Sequence, residues 1–125
     1  MSATFHEMAY IYVIRGELDE AMELYKKSLE ILKRLGDQKG MAITLGMRGQ
    51  LLVLIGDEKQ KVQGLFELMR GFAMLEKLGA ADAKTALENL KLAVILLPSS
   101  TYRAALERLS DDERRIVENA LGSRL

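Results

Sequence analysis

Apolar residues recur along this chain at helical spacing, and the polar residues between them mark where each helix begins and ends. From Gly16 to Asp37, the positions Leu18, Ala21, Tyr25, Ser28, Leu29, Leu32 and Leu35 follow the i, i+3, i+4, i+7 rule, with Glu20, Glu23, Lys27, Glu30 and Arg34 opposite. This pattern predicts one amphipathic helix, with Gly36 as a left-handed C-cap and Asp37 capping the next helix. Glu23 with Lys27 and Glu30 with Arg34 are i,i+4 pairs, acid before base, each expected to add about 0.2 to 0.5 kcal/mol. Upstream, Ala3 to Arg15 is apolar on nearly every side: Phe5, Met8, Ala9 and Tyr12 form one stripe, and Tyr10, Val13 and Ile14 a second. A helix of that kind should be buried all round, which calls for upstream sequence or a second chain to cover it. Gly16 breaks it, so the first two helices are expected to turn back as an antiparallel hairpin.

A third helix is predicted from Gln38 to Ile55, its second half (Leu51, Leu52, Val53, Leu54, Ile55) again apolar on all faces. Gly56 closes it, and Asp57 with Gln60 opens a fourth that runs to about Leu78. Beyond Ala80, one face of a fifth helix carries Ala83, Ala86, Leu87, Leu90, Ala93, Val94 and Leu97, and Leu92, Ile95 and Leu96 add apolar surface opposite, so heavy burial is expected. Pro98 ends it. A short helix with Tyr102, Ala105, Leu106 and Leu109 inward follows, and Ser110 to Glu113 fits a capping box that opens the last.

Composition agrees with an all-α fold: 49% of the 125 residues are hydrophobic, only 6% are aromatic, and there is one proline. Lys plus Arg equals Asp plus Glu at 18 each, so there is no overall basic field to collect nucleic acid or an acidic membrane. With no cysteine there is no disulfide framework, and no long uncharged run suits a membrane span, so a soluble, cytoplasmic chain is expected.

The pattern also repeats. Ala9 to Gly49 and Gly16 to Gly56 are both steps of 40 residues, and Leu-Gly-Asp at Asp37 is echoed by Ile-Gly-Asp at Asp57 and Leu-Gly-Ala at Ala80. Helix, turn and helix at a fixed period indicate a helical solenoid. Phe5, Met8, Ala9 and Tyr12, more loosely Leu45, Arg48, Gly49 and Leu52, then Ala21 with Tyr25 and Val62 with Phe66, resemble the two-helix pattern of the tetratricopeptide repeat family. Leu35 to Ala42 resembles the longer-loop branch of that family, found in signalling scaffolds. The resemblance covers about Ser2 to Leu78 and is closer in the first repeat than in the second.

It implies a right-handed solenoid of antiparallel helix hairpins: residues 2–37 and 38–79 as repeats, and 80–125 as a divergent third hairpin with a capping helix. It also implies a non-catalytic protein-protein interaction module with a protein or peptide partner. By the family's geometry the first helix of each repeat lines a concave groove, here with Ala3, His6, Tyr10, Val13 and Ile14, then Ile43, Gly46, Gln50, Val53 and Leu54. Where that branch places an Asn that grips a peptide backbone, this chain has Glu7 and Met47.

Two further readings stand beside this one. Helices five to seven could fold back and fill the groove, or the apolar faces could meet only copies of themselves, as a homo-oligomer through the N-terminal hairpin. Catalytic chemistry finds no anchor. His6-Glu7 opens like a zinc-protease motif but the chain holds no second His, so no metal site is expected. Gly46 and Gly49 lack the Lys-Ser or Lys-Thr of a phosphate loop and sit within a helix, where close packing explains them better. No cofactor is expected.

Overall fold

The computed structural model describes residues 17–122, which form six helices joined by short turns, without strands. In order they form α1 (Leu18–Leu35), α2 (Gln38–Ile55), α3 (Glu58–Lys77), α4 (Asp82–Leu96), α5 (Ser99–Glu107) and α6 (Asp111–Leu121). The helix expected before them, with Ala3, His6, Tyr10, Val13 and Ile14, lies outside the described residues. No described helix is long and apolar enough to cross a membrane.

The helix ends follow local chemistry. Asp37 accepts from the Gly40 N–H at 2.8 Å and starts α2. Asp57 with Gln60 and Ser110 with Glu113 form full capping boxes at α3 and α6. Pro98 stands between α4 and α5. The three Gly turns do not share one conformation. Gly36 and Gly79 take left-handed φ of 68° and 65°, and the N–H groups after them, on Asp37 and Ala80, reach back to the Leu32 and Leu75 carbonyls at 2.9 and 3.0 Å. That is the Schellman closure, which needs a residue without a Cβ penalty. Gly56 has φ −79°, and its smallness serves contact instead, since a Cβ there would come within 2.5 Å of the Leu52 carbonyl oxygen.

Helix α3 is the hub: α2, α4, α5 and α6 all pack on it, and its contact with α2 is the most extensive among the described residues. Backbones meet at that seam. A Cβ on Gly49 would lie 2.5 Å from the Gly64 carbonyl oxygen, one on Gly64 would lie 2.6 Å from the Gly49 oxygen, and one on Gly71 would lie 2.7 Å from the Ala42 oxygen. Three glycines and an alanine thus set the crossing distance. Between the same helices Glu67, 2% exposed, receives Arg48 Nε and Nη2 at 2.7 Å each and Gln63 Nε2 at 2.6 Å. The two-pronged guanidinium contact and the amide compensate the loss of water around the carboxylate.

On its other side α3 holds the C-terminal helices. Leu65, Met69 and Phe72 join Leu90 of α4, Ala105 and Leu106 of α5 and Val117 of α6 in one core, as the inward placement of Ala105 and Leu106 predicts. At the edge, Arg108 and Arg70 lie over the Phe66 ring at 4.6 and 5.6 Å, and Arg70 Nε donates to Glu113 at 3.0 Å. A smaller cluster of Ala21, Leu24, Tyr25 and Leu51 joins α1 to α2. Every buried side-chain nitrogen and oxygen among the described residues has a partner.

Three expectations need correction. Leu35 is 72% exposed, because the last turn of α1 carries it past the packed face that ends at Leu32. Helix α4 is buried on one side only: Leu92, Ile95 and Leu96 are 60, 74 and 68% exposed, since its contacts are with α3 and α2. Neither Glu23 with Lys27 nor Glu30 with Arg34 closes to ion-pair distance, and all four side chains are exposed. For such residues the Coulomb gain scarcely exceeds the cost of ordering two long side chains.

Candidate functional site

A cleft of about 180 Å³ opens between α2 and α4, with α3 as its floor. Ile43, Gly46 and Gln50, spaced three and four residues apart, form the α2 wall. Asp82, Thr85 and Asn89, with the same spacing, form the α4 wall, and Gly71 and Phe72 lie beneath. At the end where both wall helices start, Lys39 Nζ pairs with Asp82 at 3.2 Å. At the opposite end the same two helix faces continue into apolar residues. Leu54 follows Gln50 by four positions and is 64% exposed, while Leu92 and Leu96 follow Asn89 by three and seven.

Gly46 has a distinct place in this wall. A Cβ built on it would meet nothing within 4 Å, so close packing accounts for Gly49 and not for Gly46. What Gly46 does is leave the cleft open beside Gln50 and Met47. Met47, which stands where the resemblance would place a peptide-gripping Asn, lines the cleft with a flexible apolar side chain.

Of the predicted groove residues, then, Ile43, Gly46 and Gln50 come together on one cleft. Val53 is buried in the core, for the backbone of α2 at that point lies against Gly64. Leu54 sits beyond the cleft on the same face, and Ala3, His6, Tyr10, Val13 and Ile14 fall outside the described residues. Helices α5 and α6 contribute no side chain to the lining, whereas α4 supplies a whole wall. The apolar periodicity of α4 does not mark Asp82, Thr85 and Asn89; the signal for them is a polar face of equal regularity on the same helix.

The arrangement suits contact more than chemistry. Asp82 is the one ionisable side chain on the described lining, and it is already paired with Lys39. Gln50, Thr85 and Asn89 offer neutral donors and acceptors above an apolar floor. Small-molecule sites usually enclose about 300 to 1,000 Å³, so this cleft has room for one or two side chains of something larger. Among the described residues no group of His, Cys, Asp or Glu could hold a metal ion.

Residues 1–60 match the family model of the tetratricopeptide repeat. The match takes in α1 and α2 and stops just inside α3, short of α4. No curated protein and no solved structure matches the chain.

Proposed function

We propose, from a chain that carries a tetratricopeptide repeat within residues 1–60, that it is a non-catalytic interaction module whose α2–α4 cleft receives a segment of another protein. Repeats of this family generally serve protein binding, and here one observation supports the reading above the rest. A partly polar cleft leads without a break in helical register into exposed Leu54, Leu92 and Leu96. Contiguous exposed apolar surface with a polar margin is what interaction sites present. In this reading residues 2–37 and 38–79 are successive repeats of a right-handed solenoid and 80–125 a divergent third hairpin with a capping helix. The balanced charge, 18 basic against 18 acidic residues, favours protein over nucleic acid or membrane as partner.

Peptides selected from a random library against the wild-type chain provide the test. Gly46→Leu fills the cleft from a position that faces open space, so it should abolish their binding while the fold is retained. Selected peptides that bind Gly46→Leu as tightly as wild type would place the site elsewhere.

Exposed Ile95 and its neighbours also favour a second reading, in which the chain associates with copies of itself. Sedimentation of wild type beside Leu92→Glu/Ile95→Glu decides it: self-association through α4 predicts a smaller species for the variant. The N-terminal hairpin is the other surface proposed for such pairing, and Tyr10→Glu/Ile14→Glu tests it in the same way.

A further inference from the structure

A second groove, on a different part of the surface, runs between α1 and α3 with α2 at its base and encloses about 510 Å³. Its inner surface is apolar: Leu29 from α1, Met41 and Leu45 from α2, and Met74 from α3. All four are half-buried, which leaves side-chain surface in water that a ligand would cover. The rim is basic. Lys26, Lys33 and Arg70 border the groove against a single carboxylate, Glu30. Arg70 is held by Glu113, whereas among the described residues neither Lys26 nor Lys33 makes an ion pair, which leaves two lysines facing the one rim carboxylate.

We propose that this α1–α3 groove is a docking surface for an acidic amphipathic helix of a partner protein. Charge sets the sign of the partner, because Lys26 and Lys33 lie seven residues apart on one face of α1, where carboxylates on a bound segment would meet them. Backbone chemistry sets its conformation. The lining residues all sit on helices, whose N–H and C=O groups are bonded within the helix. An extended segment would therefore find few backbone partners here, whereas a helix satisfies its own. Lys26 to Lys33 spans about 10 Å, or two helical turns, enough for apolar anchors at i, i+3 or i+4, and i+7. Met41 and Met74 are unbranched and flexible, so the base can adjust to the anchors it receives. This inference does not rest on the α2–α4 cleft.

The probe is a fluorescent synthetic helix with leucines at i, i+3, i+4 and i+7 and glutamates on both flanks, followed by anisotropy with the full chain. Binding should weaken as salt is raised, and Lys26→Glu/Lys33→Glu should weaken it by about tenfold or more. The neutral pair Lys26→Gln/Lys33→Gln keeps helix propensity and should give an intermediate loss, with unchanged circular dichroism showing that both variants fold. Gly46→Leu should have no effect. The inference is overturned if the peptide does not bind, if a version with lysine in place of glutamate binds as well, or if Gly46→Leu abolishes binding while the lysine variants do not. Vesicles rich in anionic lipid that bind through Lys26 and Lys33, when the peptide does not, would equally overturn it.

Discussion

Helix α3 is held in opposite ways on its two sides. Towards α2 the contact is made by what is missing: Gly49, Gly64 and Gly71 bring backbone against backbone, and the one large polar group admitted, Glu67, is enclosed by Arg48 and Gln63. Towards α5 and α6 the apolar core is edged by long side chains, with Arg108 and Arg70 over Phe66 and half-exposed Arg70 joined to buried Glu113 at the α6 cap. The first seam has no slack, since its nearest neighbours are carbonyl oxygens that cannot move without the helix. The second can lose one contact while the others adjust. Mutations should therefore be severe at the α2 seam and graded at the C-terminal one.

The largest effect expected is from Arg48→Ala. It strips the partner from a carboxylate that water hardly reaches, and breaking such a buried pair typically costs about 3 to 5 kcal/mol. Chemical denaturation measures this directly, and a loss under about 1 kcal/mol would show that Glu67 finds other solvation. Gly64→Ala comes next. Its Cβ would meet the Gly49 carbonyl oxygen at 2.6 Å and Leu52 Cβ at 2.7 Å, so the helices must part, at about 1 to 3 kcal/mol. A melting temperature equal to wild type would mean that the seam gives way more easily than its backbone contacts imply.

Gly46→Ala should move stability the other way. On the same helix as Gly49 but facing open space, it exchanges a poor helix former for the best one, a gain of about 0.8 to 1.0 kcal/mol in thermal or denaturant melts. Destabilisation there would argue that Gly46 is also a contact position.

Glu113→Gln should have the smallest effect and the clearest pH signature. Burial raises the carboxyl pKa of Glu113, but the Ser110 hydrogen bonds and the Arg70 charge outweigh it and leave the group below its usual value. The contribution to stability is therefore complete above the ordinary carboxylate range near pH 4.3 and disappears as pH falls through the lower folded value. Gln keeps the capping geometry, and half-exposed Arg70 lies in a screened setting, so the loss near neutral pH is about 0.2 to 1 kcal/mol. Melts of wild type and variant should converge once the pH has fallen below the lowered folded value. A difference that persists there would assign the effect to packing.

Along α1, up to its last turn, and at the C-terminal end, the buried positions follow the periodicity. Ala21, Tyr25, Ser28 and Leu32 are buried along α1 as their spacing predicts, and Tyr102, Ala105, Leu106 and Leu109 are buried at the C-terminal end. It failed where a helix is apolar on several sides. Nothing in the spacing of Leu92, Ile95 and Leu96 distinguishes a covered face from an open one, and Val53 and Leu54 are neighbours of equal character with opposite fates. Gly46 and Gly49 likewise look alike in sequence, but one borders a cleft and the other touches a second backbone.

From the sequence alone came whatever depends on residues within a turn or two of one another: the all-helical class, the boundaries at Asp37, Asp57, Pro98 and Ser110, and the left-handed turn at Gly36. Caps and amphipathic stripes are local, and local chemistry decides them. Only the tertiary structure decided which glycines meet, why a charge as costly as Glu67 is tolerated inside, and that Ile43, Gly46 and Gln50 share a cleft with Asp82, Thr85 and Asn89. Each of those depends on the distance between helices far apart in sequence, and that distance is set by the summed packing of all of them against α3.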